Sequence, residues 1–161
     1  MDRNSALYDD DFYAWTQEQA RLLRAGELSA IDTENIAEEI ESLGRSDKRE
    51  IDSRLTVLLA HLLKWQFQPA MRSTSWSGMI REQRRRIERV LQDSLSLRPA
   101  VPELLPQAYA DAREDAAEET GLTLSAFPEN CPFTPEEVLA QTFLPGAAED
   151  KAAGAIPPER S

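Results

Sequence analysis

The sequence predicts an all-α fold: a compact helical bundle of about five main helices plus a short C-terminal helix. Three observations carry this expectation. Apolar residues recur at three- and four-residue spacing along most of the chain. No run alternates apolar and polar residues as a half-buried strand does. Residues that start and stop helices fall at the ends of the periodic segments.

The first helix is expected from Asp11 to Ala25, with Phe12, Trp15, Gln19, Leu22 and Leu23 near one face and Gly26 as its stop. The second should run from Thr33 to Leu43. Asp32 can cap it, Ile36, Ile40 and Leu43 form its apolar stripe, and Gly44 suits a left-handed residue beyond its end. In the third, Ser46 caps, Ile51, Leu55, Leu58, Leu59, Leu62 and Trp65 repeat at buried-helix spacing, and Pro69 sets the limit. A polar turn, Arg72 to Ser75, leads into the fourth. Its stripe is Trp76, Ile80, Gln83, Ile87, Val90 and Leu91, and its outer face carries Arg81, Arg84, Arg85, Glu88 and Arg89. The fifth should start near Pro102 or Glu103 and stop before Gly121, turning Leu104, Leu105, Ala108, Tyr109, Ala112 and Ala116 inward. Thr134-Pro135-Glu136-Glu137 is a capping box with proline in the first turn, opening a short helix to about Gln141. Residues 1–145 are therefore expected as a single helical domain. Residues 146–161, rich in Ala, Gly, Pro and charge, are expected as a loosely ordered or disordered tail.

The bulk properties agree with this picture. At 161 residues the chain fits one domain, which usually takes roughly 100–200 residues. Its 41% hydrophobic and 29% charged content is that of a protein able to build its own core. The net charge of -11 opposes general binding to nucleic acid or anionic membranes. That charge is unevenly spread: -7 over residues 1–45, +1 over 46–71, +4 over 72–98 and -9 over 99–161. A basic middle thus lies between acidic ends. A single cysteine, Cys131, rules out an internal disulfide and fits a reducing compartment. The N-terminal residues lack the apolar stretch of a signal peptide, and no stretch approaches the roughly 20 apolar residues of a membrane span. The expected location is the cytoplasm, with no membrane partner.

Several strings along this walk belong together. They are Leu7-Tyr8 through Phe12-Tyr13-Ala14-Trp15, Glu38-Glu39-Ile40-Glu41-Ser42-Leu43-Gly44, Leu58-Leu59-Ala60-His61-Leu62-Leu63-Lys64-Trp65 and Gln68-Pro69. Further on come Ser75-Trp76, Ile80-Arg81-Glu82-Gln83-Arg84, Tyr109, Ala112-Arg113, Ser125-Ala126-Phe127-Pro128 and Cys131-Pro132. In these the chain resembles the bacterial family known as domain of unknown function number twenty-nine, over roughly residues 7–145. The resemblance implies a helical fold and a prokaryotic source. It implies no activity, so no catalytic residue carries over.

The candidate chemistry is sparse. His61, the only histidine, sits at the edge of the third helix's stripe, near Lys64 and Trp65. It is a candidate general base or metal ligand with Glu38, Glu39 or Glu41, although a lone histidine more often ties two helices together by a hydrogen bond. Zinc needs several nitrogen or sulfur ligands, and a di-iron bundle needs Glu-x-x-His twice. Neither set is present. Glu34, Glu38, Glu39 and Glu41 make an acidic helix surface, which is more commonly a solvated face than an acid–base pair. Cys131 as a nucleophile would need His61 as its base. Trp15, Trp65, Trp76, Phe12 and Tyr13 are more commonly core than cofactor pocket.

The most suggestive cluster is Arg81, Arg84, Arg85, Arg86 and Arg89, in which 81, 85 and 89 line up on one helix face. Phosphate or nucleic-acid contact is one reading, with Trp65 and Trp76 as stacking surfaces. Pairing with the chain's own acidic residues, or with those of a second subunit, is the favoured one. Exposed pairs of that kind add only about 0.2–1 kcal/mol each. No Walker loop, dinucleotide glycine pattern, zinc motif or nucleophile elbow occurs, so no cofactor is expected. Together these features favour a non-enzymatic helical protein-interaction module that engages a protein partner or a second copy of itself. The alternatives are nucleic-acid binding through the arginine face and a small metal-binding or acid–base enzyme centred on His61. The surface to test comprises His61, Lys64, Trp65, Trp76, Arg81, Arg84, Arg85 and Arg89.

Overall fold

In the computed structural model, which describes residues 3–146, six α-helices follow one another: α1 (Arg3–Asp10), α2 (Phe12–Ala25), α3 (Thr33–Phe67), α4 (Thr74–Asp93), α5 (Ala100–Thr120) and α6 (Pro135–Leu139). Short 3₁₀ turns lie at Pro69–Met71, Leu95–Leu97 and Leu124–Ala126. No strand occurs among the described residues, so the all-α expectation holds. The expected tail lies, from residue 147 on, outside the described residues. The chain divides into two units between Asp47 and Lys48, inside α3.

The first unit is held largely by polar contacts. Asp11 caps α2 by accepting from the Ala14 amide at 3.1 Å. Gly26 ends α2 in the left-handed region, φ 72°, where its N–H reaches the Leu22 and Leu23 carbonyls. Trp15 is buried and donates its indole N–H to Asp32 at 3.0 Å. The Asp32 amide donates to Gln19 at 2.7 Å, and the Asp32 carboxylate accepts from the Asn35 amide and side chain at 3.4 and 2.8 Å. Asp32 is therefore the start signal of α3, as its position suggested. Helix α1 was not foreseen, because it carries no capping signal and buries no residue. Tertiary contacts hold it: Tyr8 packs edge-on against Phe12 and Trp15, and Asn4 donates to the Ala30 carbonyl.

The expected second and third helices are one continuous helix, α3. Gly44 does not end it, and Ser46 does not cap a new one. Among the described residues the glycines with positive φ are Gly26, Gly121 and Gly146, and Gly44 stays helical within α3. A lone glycine costs a helix only about 1 kcal/mol, and no proline follows to stop the chain. Ile40 and Ile51 lie about three turns apart on the same face, so the apolar spacing runs through the junction. Arg45 pairs with Glu38 at 2.8 Å and Glu41 at 3.8 Å, linking the turns across Gly44. The expected inward stripe is corrected as well. Ile40 is 64% exposed and Leu43 70%, and Phe12 and Leu23 of α2 are also largely exposed.

The second unit has a dense apolar core. Ile51, Leu55, Leu58, Leu59, Leu62 and Leu63 of α3 meet Ile80, Ile87 and Leu91 of α4. Val101, Leu105, Ala108, Tyr109, Ala112 and Ala116 of α5 join them, with Phe127, Phe133 and Val138 from the C-terminal segments. Ser73 caps α4 through the Trp76 amide at 3.2 Å. Helix α5 begins two to three residues earlier than expected, at Ala100, and Gly121 ends it at φ 73°. Pro102 is accommodated because the first-turn amides of a helix have no partner in the helix. The Thr134–Glu137 capping box forms with both hydrogen bonds at 3.1 Å.

Candidate functional site

Helix α4 brings its arginines to two different places. Arg81, Arg85 and Arg89, one turn apart in succession, line a groove of about 680 Å3 along the helix, together with Glu82 and Glu88. Arg85 and Arg86 both donate to Glu82. The hydrogen bond from Arg86, with the nearby Arg85 charge, holds the Glu82 carboxyl below the usual carboxylate range. Arg81 and Arg89 make no hydrogen bond or ion pair among the described residues.

Arg84 departs from the expected surface. It is 1% exposed, and it donates through Nε to the Val138 carbonyl at 2.8 Å and through Nη2 to the Glu137 carbonyl at 3.3 Å. It thus supports α6, whose last carbonyls have no partner within the helix. Burial lowers its pKa to about 10. The sequence contains the signal for this placement: Ile80, Arg84, Ile87 and Leu91 repeat at four-, three- and four-residue spacing, so Arg84 sits on the core stripe.

On α3, Lys64 is buried. Its ammonium meets Glu119 of α5 at 2.5 Å and lies 5.3 Å from the Trp76 ring centre. Glu119 was not singled out in the sequence, because it lies on the exposed side of an alanine-rich helix. Arg72 donates to the Trp65 carbonyl at 2.8 Å, with its guanidinium 5.2 Å from the Trp65 ring centre. Both tryptophans expected as stacking surfaces already carry a cation of this chain on the ring.

His61 is half-buried, with Nδ1 at 2.8 Å from the Val57 carbonyl. Nδ1 therefore holds the proton, and burial keeps the ring's pKa below its ordinary value. The carboxylates considered as its partners are engaged in the first unit: Glu39 accepts from Tyr8, and Glu38 and Glu41 pair with Arg45. Among the described residues no group of three His, Cys, Asp or Glu side chains is placed to hold a metal ion. The Cys131 thiol donates to the Phe133 carbonyl at 3.4 Å, and burial raises its pKa, the direction opposite to that of an activated nucleophile. No helix among the described residues is long and apolar enough to cross a membrane.

These features define an all-helical protein with an arginine-lined groove on one helix and uncovered apolar side chains in its N-terminal unit. The family model described as domain of unknown function DUF29 matches residues 7–144, and the chain belongs to that family. No curated protein and no solved structure matches it.

Proposed function

We propose that the chain is a cytoplasmic, non-enzymatic protein-interaction module whose docking surface is the Ile40–Leu43 turn of α3. The observation that carries this reading is the exposure of two large aliphatic side chains, one turn apart, on a well-formed helix. Single exposed apolar residues are ordinary, but grouped ones mark surfaces that meet another molecule. Glu34, Glu38, Glu39 and Glu41 flank the turn, and residues 1–45 carry a net charge of -7. Two copies meeting through this face would set carboxylates against carboxylates. The partner is therefore a different protein, presenting an apolar ridge bordered by lysine or arginine.

A photo-crosslinking amino acid placed at position 40 or 43 in living cells tests the idea, with position 114 on exposed α5 as control. The expected result is one discrete adduct from 40 and 43, absent from 114, whose crosslinked segment is basic and amphipathic. No adduct above the control overturns the reading. So does an adduct joining two copies of this chain.

A further inference from the structure

We propose that the cavity between α4 and residues 141–144 is a binding site for a phosphate group, held by Arg81, Arg84, Gln141 and Thr142. The cavity measures about 320 Å3 and is lined by these four residues together with Ser77, Ile80 and Leu144. That is the small end of the range for ligand pockets, roughly 300–1,000 Å3.

A buried cation normally has an anionic partner, because removing it from water is costly. Arg84 is 1% exposed, yet its hydrogen-bond partners among the described residues are two backbone carbonyls, with no carboxylate. Arg81 lines the same cavity and has no partner among the described residues. Among the described residues no acidic side chain contributes to the cavity wall. Arg81 and Arg84 thus line one hollow with no carboxylate among the described residues, an arrangement that an anion completes.

The remaining donors select the anion. The Gln141 amide and the Thr142 hydroxyl make no hydrogen bond among the described residues, and both line the hollow. Two guanidinium groups, an amide and a hydroxyl offer more donors than one carboxylate can use, and they suit the several oxygens of a phosphate. The larger groove begins at the same place, since Arg81 and Gln141 line both spaces. It continues past Arg85 and Arg89 and gives room for the molecule that bears the phosphate. This inference is independent of the docking turn on α3: each can fail without the other.

The test is a titration of the full chain with inorganic phosphate, in a phosphate-free buffer at constant ionic strength, followed by nitrogen–proton NMR. The Arg84 Nε–H signal is the principal reporter, because burial protects it from solvent exchange. Saturable shifts are expected in that signal and in the amides of Arg81, Gln141 and Thr142. Arg81→Gln should weaken binding about tenfold or more, the worth of one charge-assisted hydrogen bond. Thr142→Val should weaken it by a smaller factor, and neither variant removes the Arg84 bonds to α6. Arg89→Gln, outside the cavity, should leave phosphate affinity unchanged. Absence of a saturable shift into the millimolar range overturns the proposal. A response equally sensitive to Arg89→Gln overturns it too, because that marks diffuse ion accumulation along the helix. A single-stranded oligonucleotide that binds along Arg81, Arg85 and Arg89 while inorganic phosphate leaves Arg84 unmoved would replace the small-anion site with a nucleic-acid surface.

Discussion

The two units of this chain solve the same problem by different means. In the second, three long helical segments contribute a continuous set of fully buried leucine, isoleucine, alanine and aromatic side chains. In the first, the buried side chains are Trp15, Gln19, Leu22 and Asp32, and three of these four belong to a hydrogen-bonded cluster. Six large apolar residues of that unit, Phe12, Tyr13, Leu23, Leu28, Ile40 and Leu43, remain exposed. Burial of apolar area is the main source of folding free energy, at about 25 cal/mol per Å2. The first unit leaves six large apolar side chains in water and so draws less on this source.

The contrast can be broken most directly by truncating one aliphatic residue in each unit. Leu58→Ala, in the fully buried core of the second, should cost about 2–5 kcal/mol. Ile40→Ala, on the same helix, should change stability by no more than about 0.5 kcal/mol. Denaturant unfolding of the two variants measures both. Equal losses would mean that Ile40 is covered in the folded protein and would remove the basis of the docking surface.

The sequence was most legible where a backbone requirement coincides with a residue that meets it. Gly26 and Gly121 end their helices in the left-handed region, and Thr134 with Glu137 closes the capping box. These are local events, complete within a few residues. Gly44 misled because a glycine permits a left-handed turn without requiring one, and the i to i+4 pair of Glu41 with Arg45 favours continuation. Ile40 and Leu43 misled for another reason: periodicity reports that a helix has an apolar face, not that anything covers it. Among the candidate site residues, the alignment of Arg81, Arg85 and Arg89 followed from helical geometry alone. The inward turn of Arg84 depended on carbonyls more than fifty residues away, at the end of α6. The cavity wall at 141–144 lay beyond any local pattern.

A pair of glycine substitutions sharpens the account of the junction. A methyl group at position 44 would meet nothing within 4 Å, and the backbone there is helical. Gly44→Ala should therefore stabilise the protein by about 0.5–1 kcal/mol. Gly26→Ala has the same free space but sits at φ 72°, where a side chain is strained, and should destabilise by about 1–2 kcal/mol. Thermal unfolding distinguishes the two signs. A destabilising Gly44→Ala would show that the backbone at Gly44 leaves the helical conformation in solution.

The smallest effect expected is one of pH, and it belongs to the second unit. His61 is half-buried there. Burial, the largest cause, lowers its pKa below the usual value near 6.5; the hydrogen bond to the Val57 carbonyl opposes this, and the smaller effects of Lys64 and Glu119 lower and raise it respectively. The unfolded chain keeps the ordinary value of about 6.5. A proton therefore binds the unfolded chain more readily than the folded one as the pH falls. The stability that neutral His61 contributes is fully present above about pH 6.5 and is lost as pH drops through the lower folded value. Between roughly pH 6.5 and 5, above the range of ordinary carboxylates, the urea midpoint should fall. In His61→Gln that slope should flatten. A midpoint that rises over the same interval would mean that the imidazolium is favoured in the folded protein, with the Val57 carbonyl and Glu119 outweighing burial and Lys64.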